Sequence, residues 1–88
     1  MRILKFYSTW CGQCKTLTKE FKEHPIDIEI KDIDIEDNES LVDKYNIRHL
    51  PTVILEDNDE IIHTWRGFVT TEEINNKIKD YENHKTKL

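Results

Sequence analysis

The sequence has 88 residues, of which 18 are acidic and 13 are basic, and its formal net charge is −5. A chain of this length fits one domain over residues 1–88, and so small a domain needs a well-patterned core. Because acidic and basic residues are interspersed and the balance is acidic, nucleic acid is not an expected partner. No segment has the apolar length of a membrane span, and the first residues do not form a signal peptide. We therefore predict a cytoplasmic protein.

The apolar pattern at the start of the chain predicts a strand and then a helix. Residues 2–7, RILKFY, leave few polar positions, which indicates a strand buried on both faces. From Cys11 the pattern becomes helical, with one apolar stripe at Cys14, Leu17 and Phe21. Pro25 disfavours helical geometry in the residue before it, so the helix is expected to end near His24.

A second strand is predicted over residues 26–35, IDIEIKDIDI, because apolar and polar side chains alternate there. The first three isoleucines share one face, whereas Ile33 and Ile35 lie in the opposite phase. Apolar residues therefore occupy both faces of this strand. Asp32 falls in the phase of the first three isoleucines unless a bulge intervenes.

A short helix and a hairpin are predicted next. The helix has Asp37 or Asn38 as its cap, Asn46 as a left-handed end, and an apolar side made of Leu41, Val42 and Tyr45. The strands PTVIL, at 51–55, and IIHTW, at 61–65, are joined by EDNDE, whose length and composition predict a hairpin.

The last helix has a clear start signal. Thr70 and Glu73 form a capping box, and Val69 can pack on Ile74 as a hydrophobic staple. Residues 84–88 are expected to fray. The element order is βαβαββα, with parallel first strands joined by a right-handed crossover, an antiparallel hairpin, and helices on both faces of the sheet.

Both cysteines lie in the segment TWCGQC, between the first strand and the first helix. Cysteines at this spacing in a cytosolic chain indicate redox or metal chemistry rather than a structural disulfide. Cys11, at the helix start, would be favoured as a thiolate by unpaired N–H groups and the helix dipole. Cys14 follows within disulfide reach. Cys11 is therefore the expected nucleophile and Cys14 the buried resolving thiol. The alternative is that both cysteines are ordinary packing residues.

The chain resembles the thioredoxin family along essentially its whole length. The matching segments are TWCGQCK at 9–15, KYNIRHLPT at 44–52 and RGF at 66–68. The first strand corresponds to the second strand–helix unit of longer thioredoxins, and in length the chain looks like a glutaredoxin. It has neither the C-P-Y-C motif nor the Gly-Gly glutathione site of glutaredoxins. The resemblance implies a minimal thioredoxin fold, an α/β architecture with a mixed four-stranded sheet.

The resemblance also implies a substrate-binding surface. Pro51 matches the family's cis-proline, and a cis bond would place the Leu50 backbone where an extended substrate can pair with it. The proline would also remove an N–H near the sulfurs and oppose metal binding. The expected apolar docking rim consists of Trp10, Leu50, Gly67 and Phe68. Three charged or polar residues flank it and either bias partner choice or are simply solvated: Arg48, His49 and Arg66.

The active-site loop contains Trp10, Gly12 and Gln13 beside the two cysteines. Gln13 stands where thioredoxins more commonly have proline, and unlike proline it carries a backbone N–H. An additional amide directed at Cys11 would stabilise its thiolate and make the protein somewhat more oxidising. The alternative is that Gln13 merely tolerates the turn.

Lys5 occupies the position of a buried aspartate that, in thioredoxins, helps accept the proton of the resolving cysteine. Counting back from Pro51 places Asp32 at the position of a lysine that the family commonly has near that aspartate. The pair therefore looks charge-swapped, which a buried site tolerates when both partners are present. Either Asp32 accepts the proton of Cys14, or Lys5 lowers the thiol pKa by proximity. The alternative is that Lys5 reaches solvent and Asp32 is an exposed acid.

We predict a small thiol–disulfide oxidoreductase, a monomeric protein-disulfide reductase of the kind that serves electron transport and cell redox homeostasis. It binds no cofactor or metal, and its redox group is the Cys11–Cys14 dithiol or disulfide. The family implies electrons from NADPH through a thioredoxin-reductase-type flavoenzyme. The expected partners are disulfide-containing proteins, among which ribonucleotide reductase is a family-typical client.

Three other functions stay open from the sequence. One is a glutaredoxin-like reductase that uses glutathione. Another is a metal module in which histidines add ligands to the C-x-x-C, although their spacing matches no zinc pattern and Pro51 opposes metal binding. In a variant of it, two chains share a metal or iron–sulfur cluster through one C-x-x-C each. The third is a non-catalytic binding subunit of a larger assembly.

Overall fold

The computed structural model describes residues 1–86 and contains the predicted element order. The strands are β1 (Arg2–Tyr7), β2 (Glu29–Asp34), β3 (Thr52–Asp57) and β4 (Glu60–Arg66). The helices are α1 (Gly12–Glu23), α2 (Glu39–Lys44) and α3 (Thr71–Thr86). The end of α1 beside His24 agrees with the prediction from the following proline.

The sheet is mixed and has the strand order β2-β1-β3-β4. β1 runs parallel to β2 and antiparallel to β3, and β4 is antiparallel to β3. The parallel first pair and the antiparallel hairpin are both confirmed. β1 lies in the middle of the sheet and helices cover both of its faces, so four consecutive residues are buried: Ile3, Leu4, Lys5 and Phe6.

Two hydrophobic clusters cover the two faces of this sheet. On one face, α1 and α3 contribute Leu17, Phe21 and Ile74 to a cluster with Ile3, Val53, Leu55, Trp65 and Val69. On the other face, the partly buried apolar side of α2 packs against Leu4, Phe6, Ile33, Ile47 and Ile54. Helices therefore cover both faces, as predicted. Ile33 and Ile30 lie on opposite faces of β2, in agreement with the two phases of its isoleucines.

β2 is shorter than the predicted strand at 26–35. It begins at Glu29 because its ladder partner β1 begins at Arg2, which pairs with Glu29. The residues before Glu29 have no strand to pair with, yet Ile26 and Ile28 still pack against the cluster on the α1 and α3 face. Burial rather than strand pairing explains their apolar pattern.

The hairpin loop is tighter than the predicted five residues. Asn58 and Asp59 both adopt positive φ, 50° and 67°, and Asp57 pairs directly with Glu60. Two central residues with positive φ match the twist of the flanking strands, so the ladder continues to the turn. A shift in register after Leu55 marks an irregularity in the β3–β4 pair.

The helix ends mostly follow the expected local chemistry. Glu73 donates its backbone N–H to Thr70 Oγ1 at 3.1 Å, and Val69 and Ile74 are buried in one cluster. Asn46 ends α2 with φ 54°. Asn38 is the N-cap of α2, but its side chain makes no capping bond and donates instead to the Asp34 carbonyl at 2.9 Å.

The C-terminal helix reaches into the segment 84–88, whose expected fraying stays a prediction. α3 extends to Thr86, and the Tyr81 hydroxyl donates to Asp57 Oδ2 at 2.7 Å, which ties its last turns to the end of β3. Residues 87 and 88 of the expected tail, 84–88, lie outside the described residues.

A buried carboxylate links β3 to β1 and α2. Glu56 is 2% exposed and accepts from Arg2 Nε at 2.5 Å and from the Tyr45 hydroxyl at 2.9 Å. Burial by itself would raise the pKa of Glu56, but these two hydrogen bonds and the Arg2 charge hold it below its ordinary value. The ionised form of Glu56 is therefore a stabilising element of the fold.

We expect Glu56→Gln to lower the free energy of unfolding at neutral pH by about 1–3 kcal/mol, because it removes the charge that Arg2 and Tyr45 stabilise. A carboxyl whose pKa is lower in the folded chain stabilises the fold above its unfolded pKa. That contribution is lost as the pH falls through the folded pKa. Urea unfolding of the wild type should therefore show a steeper loss of stability below about pH 4.5 than the variant shows.

The matched control is Glu60→Gln, which removes an exposed carboxylate from the neighbouring strand. It should leave the stability within about 0.5 kcal/mol of the wild type. Parallel pH profiles for the wild type and Glu56→Gln would contradict the stabilising role of the Glu56 charge.

Candidate active site

The two cysteines lie where β1 ends and α1 begins. Cys11 is the N-cap of α1, with extended backbone angles, and its sulfur accepts the Cys14 backbone N–H at 3.2 Å. Its own N–H approaches the Ser8 carbonyl at 3.4 Å. A sulfur at this position accepts a hydrogen bond from one of the N–H groups of the first turn that have no partner within the helix. This hydrogen bond favours negative charge on the sulfur.

The two thiols differ in access to solvent. Both are free cysteines, but Cys11 is half-buried whereas Cys14 is 2% exposed. Burial and the hydrogen bond with Cys11 raise the pKa of Cys14 to about 11, although the Ser8 backbone amide and the Lys5 ammonium act in the opposite direction. Cys14 is therefore protonated at neutral pH. The geometry gives one accessible sulfur and a second, protonated sulfur directly behind it.

Gln13 is exposed and occupies the second position of α1. The amide that donates to Cys11 Sγ belongs to Cys14, so a contribution from the Gln13 amide stays a prediction. Gly12 is also exposed, and a Cβ added there would meet no atom within 4 Å. Crowding therefore gives no reason for glycine at this position.

The Leu50–Pro51 peptide bond is cis, as the family resemblance implied. The Pro51 carbonyl accepts the Gly67 N–H at 2.8 Å, which joins the loop before β3 to the loop after β4. Gly67 has φ 102°, a conformation that side chains disfavour, so glycine is required there by the backbone.

A groove of about 490 Å³ opens beside Cys11. It is lined by the predicted residues Trp10 and Leu50 and by the flanking Arg48 and His49, together with Ile35, Val42 and Ile47. These last three were not predicted as site residues. Gly67 and Phe68 are not part of its lining, although Phe68 is 47% exposed. Their place in a docking rim stays a prediction.

Trp10, which lines the groove, is held by Glu36, a residue that the sequence analysis did not single out. The indole Nε1 donates to Glu36 Oε1 at 2.9 Å, while 69% of the side chain remains exposed. Glu36 comes shortly after β2, and the carboxyl ends of the parallel strands β1 and β2 meet at the same edge of the sheet. The parallel arrangement of β1 and β2 could have indicated that a residue just after β2, such as Glu36, lies near Trp10.

Lys5 and Asp32 are direct partners in the β1–β2 ladder, and Lys5 Nζ lies 3.4 Å from Asp32 Oδ1. The Lys5 side chain is 6% exposed, so it does not reach solvent, whereas the Asp32 side chain is 59% exposed. Lys5 also donates to the hydroxyl of Thr18, another residue that the sequence did not single out. Thr18 in turn donates to the Cys14 carbonyl at 3.0 Å.

Within residues 1–86, no group of three or more His, Cys, Asp or Glu side chains is arranged to hold a metal ion. None of the helices described is long and apolar enough to cross a membrane. In the same part of the chain, the buried hydroxyl of Ser8 has no hydrogen-bond partner.

Comparison with known proteins relates this chain to a family. The family model for thioredoxin matches residues 1–80. Thioredoxin-1 of Caenorhabditis elegans is 35% identical over 83 residues, which cover 90% of this chain and 70% of that protein. Thioredoxin 2 of Plasmodium berghei is also 35% identical over 83 residues, but the match spans only 53% of its length.

A solved structure shows the same fold at nearly the same length. Thioredoxin 1 from the thermophilic eubacterium Thermosipho africanus matches with a TM-score of 0.81 and 26% identity, covering 98% of this chain and 99% of that one. The family and the paired thiols of Cys11 and Cys14 together support thiol–disulfide exchange as the general activity. The chain belongs to the thioredoxin family.

Proposed function

We propose that the protein reduces disulfide bonds of other proteins through Cys11 and Cys14. The observation that carries this proposal is the arrangement of the two thiols, one accessible at the start of α1 and one buried behind it with its N–H 3.2 Å from the first sulfur. The groove supports the proposal of a peptide substrate, because its lining is mostly apolar and includes Cys11.

The reaction follows from the different access of the two sulfurs. The Cys11 thiolate attacks one sulfur of the substrate disulfide, and the other substrate sulfur leaves with the electron pair. Cys14 then attacks Cys11, which breaks the mixed disulfide and forms the Cys11–Cys14 bond. The substrate gains two electrons and its two sulfurs are protonated, while the protein dithiol becomes a disulfide. Because Cys14 is protonated beforehand, the second step must include the loss of its proton.

An extended substrate can be oriented by the backbone that precedes β3. The cis Leu50–Pro51 bond lies in the loop that enters β3, and the Leu50 side chain lines the groove beside Cys11. Main-chain hydrogen bonds between the substrate and Leu50 would fix the direction of the peptide independently of its side chains. Exposed apolar surface on Trp10 would contact side chains next to the substrate cysteine.

The oxidised protein needs a reductant, and we propose a thioredoxin-reductase-type flavoenzyme that passes electrons from NADPH. The family supports this recycling system. Glutathione with glutathione reductase is the competing system, and a direct comparison of the two separates them.

We expect the wild type to reduce insulin disulfides when supplied with NADPH and a thioredoxin reductase, and to be much slower with glutathione, glutathione reductase and NADPH. Cys11→Ser should lower the rate to the uncatalysed background, because no other accessible thiol replaces the nucleophile. Cys14→Ser should accumulate a mixed disulfide with the substrate, detectable by mass spectrometry, because the resolving thiol is lost.

Activity only in the glutathione system would contradict the proposed recycling partner. Full insulin-reducing activity of Cys11→Ser would contradict the reaction itself. Biological function retained by Cys11→Ser without that activity would favour a non-catalytic binding role.

We expect Gln13→Pro to lower the reduction potential by about 10–30 mV, since it deletes a first-turn N–H that we propose to favour the Cys11 thiolate. The matched control is Gln13→Ala, which keeps the backbone N–H and should leave the potential unchanged. Equilibration against a glutathione redox buffer measures both. An unchanged or higher potential in Gln13→Pro would rule out the contribution of this amide.

A further inference from the structure

The resolving step depends on a buried sulfur that starts as a thiol. Cys14 is 2% exposed, and burial raises the pKa of its thiol to about 11. A small fraction of the resting protein therefore carries a Cys14 thiolate at neutral pH. Whatever charged group lies near this sulfur affects how readily the thiolate forms during the attack on Cys11.

The charged group that the fold places beneath α1, next to the turn that contains Cys14, is the ammonium of Lys5. Lys5 lies on the central strand β1, on the face that α1 covers, and its side chain is 6% exposed. Thr18 connects it to the Cys14 turn, because the Thr18 hydroxyl accepts from Lys5 Nζ and donates to the Cys14 carbonyl. The contact with Thr18 holds the ammonium against α1 one turn after Cys14.

Other neighbours hold the same ammonium in place. On β2, Asp32 Oδ1 lies 3.4 Å from Lys5 Nζ, and on β1 itself the Tyr7 ring centroid lies 5.7 Å away. On β3, the ladder partner of Lys5 is the apolar Val53. The titratable groups facing Lys5 are thus Asp32 and Tyr7, and those acting on the Cys14 sulfur are Cys11 and Lys5.

Asp32 is poorly suited to accept the proton of Cys14. Its side chain is 59% exposed, and its carboxylate is engaged by the Lys5 ammonium. A nearby ammonium instead lowers the free energy of the thiolate without accepting a proton.

We propose that Lys5 is a positioning residue for the resolving step, whose ammonium stabilises the developing Cys14 thiolate, and that Asp32 is the counter-ion that holds this ammonium. The inference rests on the proposed disulfide-reductase function and deepens it. As the Cys14–Cys11 bond forms and the Cys11–substrate bond breaks, the electron pair goes to the departing substrate sulfur. The proton released by Cys14 protonates that sulfur, directly or through water, so the step needs no further acid or base.

The two charges have opposite effects on the thiolate under this proposal. Lys5→Met keeps a side chain of similar length but removes the favourable charge, so the thiolate population should fall roughly tenfold if the pKa of Cys14 rises by one unit. A more basic thiolate is intrinsically more nucleophilic, which offsets part of that loss, so the resolving rate should fall only about threefold. Lys5→Arg keeps the charge and should stay within about twofold of the wild type.

Asp32→Asn removes the negative charge and should leave the thiolate population unchanged or larger. If Asp32 were the proton acceptor, the same variant would instead slow the resolving step. Because Asp32 is largely exposed, this variant is expected to fold, and the sign of its effect tests the proposal even if Lys5→Met does not fold.

The experiment measures the titration of Cys14 in a Cys11→Ser background, by ultraviolet absorbance of the thiolate and by NMR of ¹³C-labelled cysteine. The variants Lys5→Met, Lys5→Arg and Asp32→Asn are compared in that background. A second measurement follows the resolving rate in proteins with both cysteines, by stopped-flow release of the thiol of a small aromatic disulfide across a pH series.

The proposal is supported by a higher Cys14 pKa in Lys5→Met together with an unchanged or lower one in Asp32→Asn. It is overturned if Lys5→Met titrates like the wild type, or if Asp32→Asn slows resolution more than Lys5→Met does. The Cys14 titration does not depend on substrate reduction. A wild type that fails to reduce insulin but shows the Lys5 effect would therefore overturn the proposed function alone.

Discussion

The structure depends on the central position of β1 between the parallel strand β2 and the antiparallel strand β3. Both faces of β1 are covered, so every side chain in its middle must be apolar or paired. Ile3, Leu4 and Phe6 satisfy this condition by packing. Lys5 satisfies it by its contacts with Thr18 and Asp32, which makes a buried cation part of the sheet rather than a defect in it.

The same strand delivers the reactive sulfur to one edge of the sheet. Because β1 and β2 are parallel, the segments that follow them meet at their carboxyl ends, where Cys11 and Trp10 lie beside residues such as Ile35 and Glu36. The loop from α2 to β3 adds Leu50 to this edge. The groove is therefore assembled from three separate parts of the chain.

Much of this arrangement could be predicted from local patterns. The apolar stripe of α1, the capping bond of Thr70 and the left-handed Asn46 are set by neighbouring residues, and all are present in the structure. The start of β2 could not be predicted, since Ile26 and Ile28 are apolar for burial but have no ladder partner. The length of the hairpin loop likewise depends on how far the β3–β4 ladder continues.

The sequence by itself determined the element order, the dithiol at the start of a helix and the presence of a lysine within a buried strand, since each depends on residues close together in the chain. The tertiary structure alone decided that Thr18 also contacts Lys5, which residue holds Trp10 and which side chains complete the lining of the groove. Those contacts join residues far apart in the sequence, such as Trp10 with Glu36, and so does the predicted pair of Lys5 with Asp32. Their distances depend on strand register, and a shift of one residue would turn the Asp32 side chain to the opposite face of the sheet.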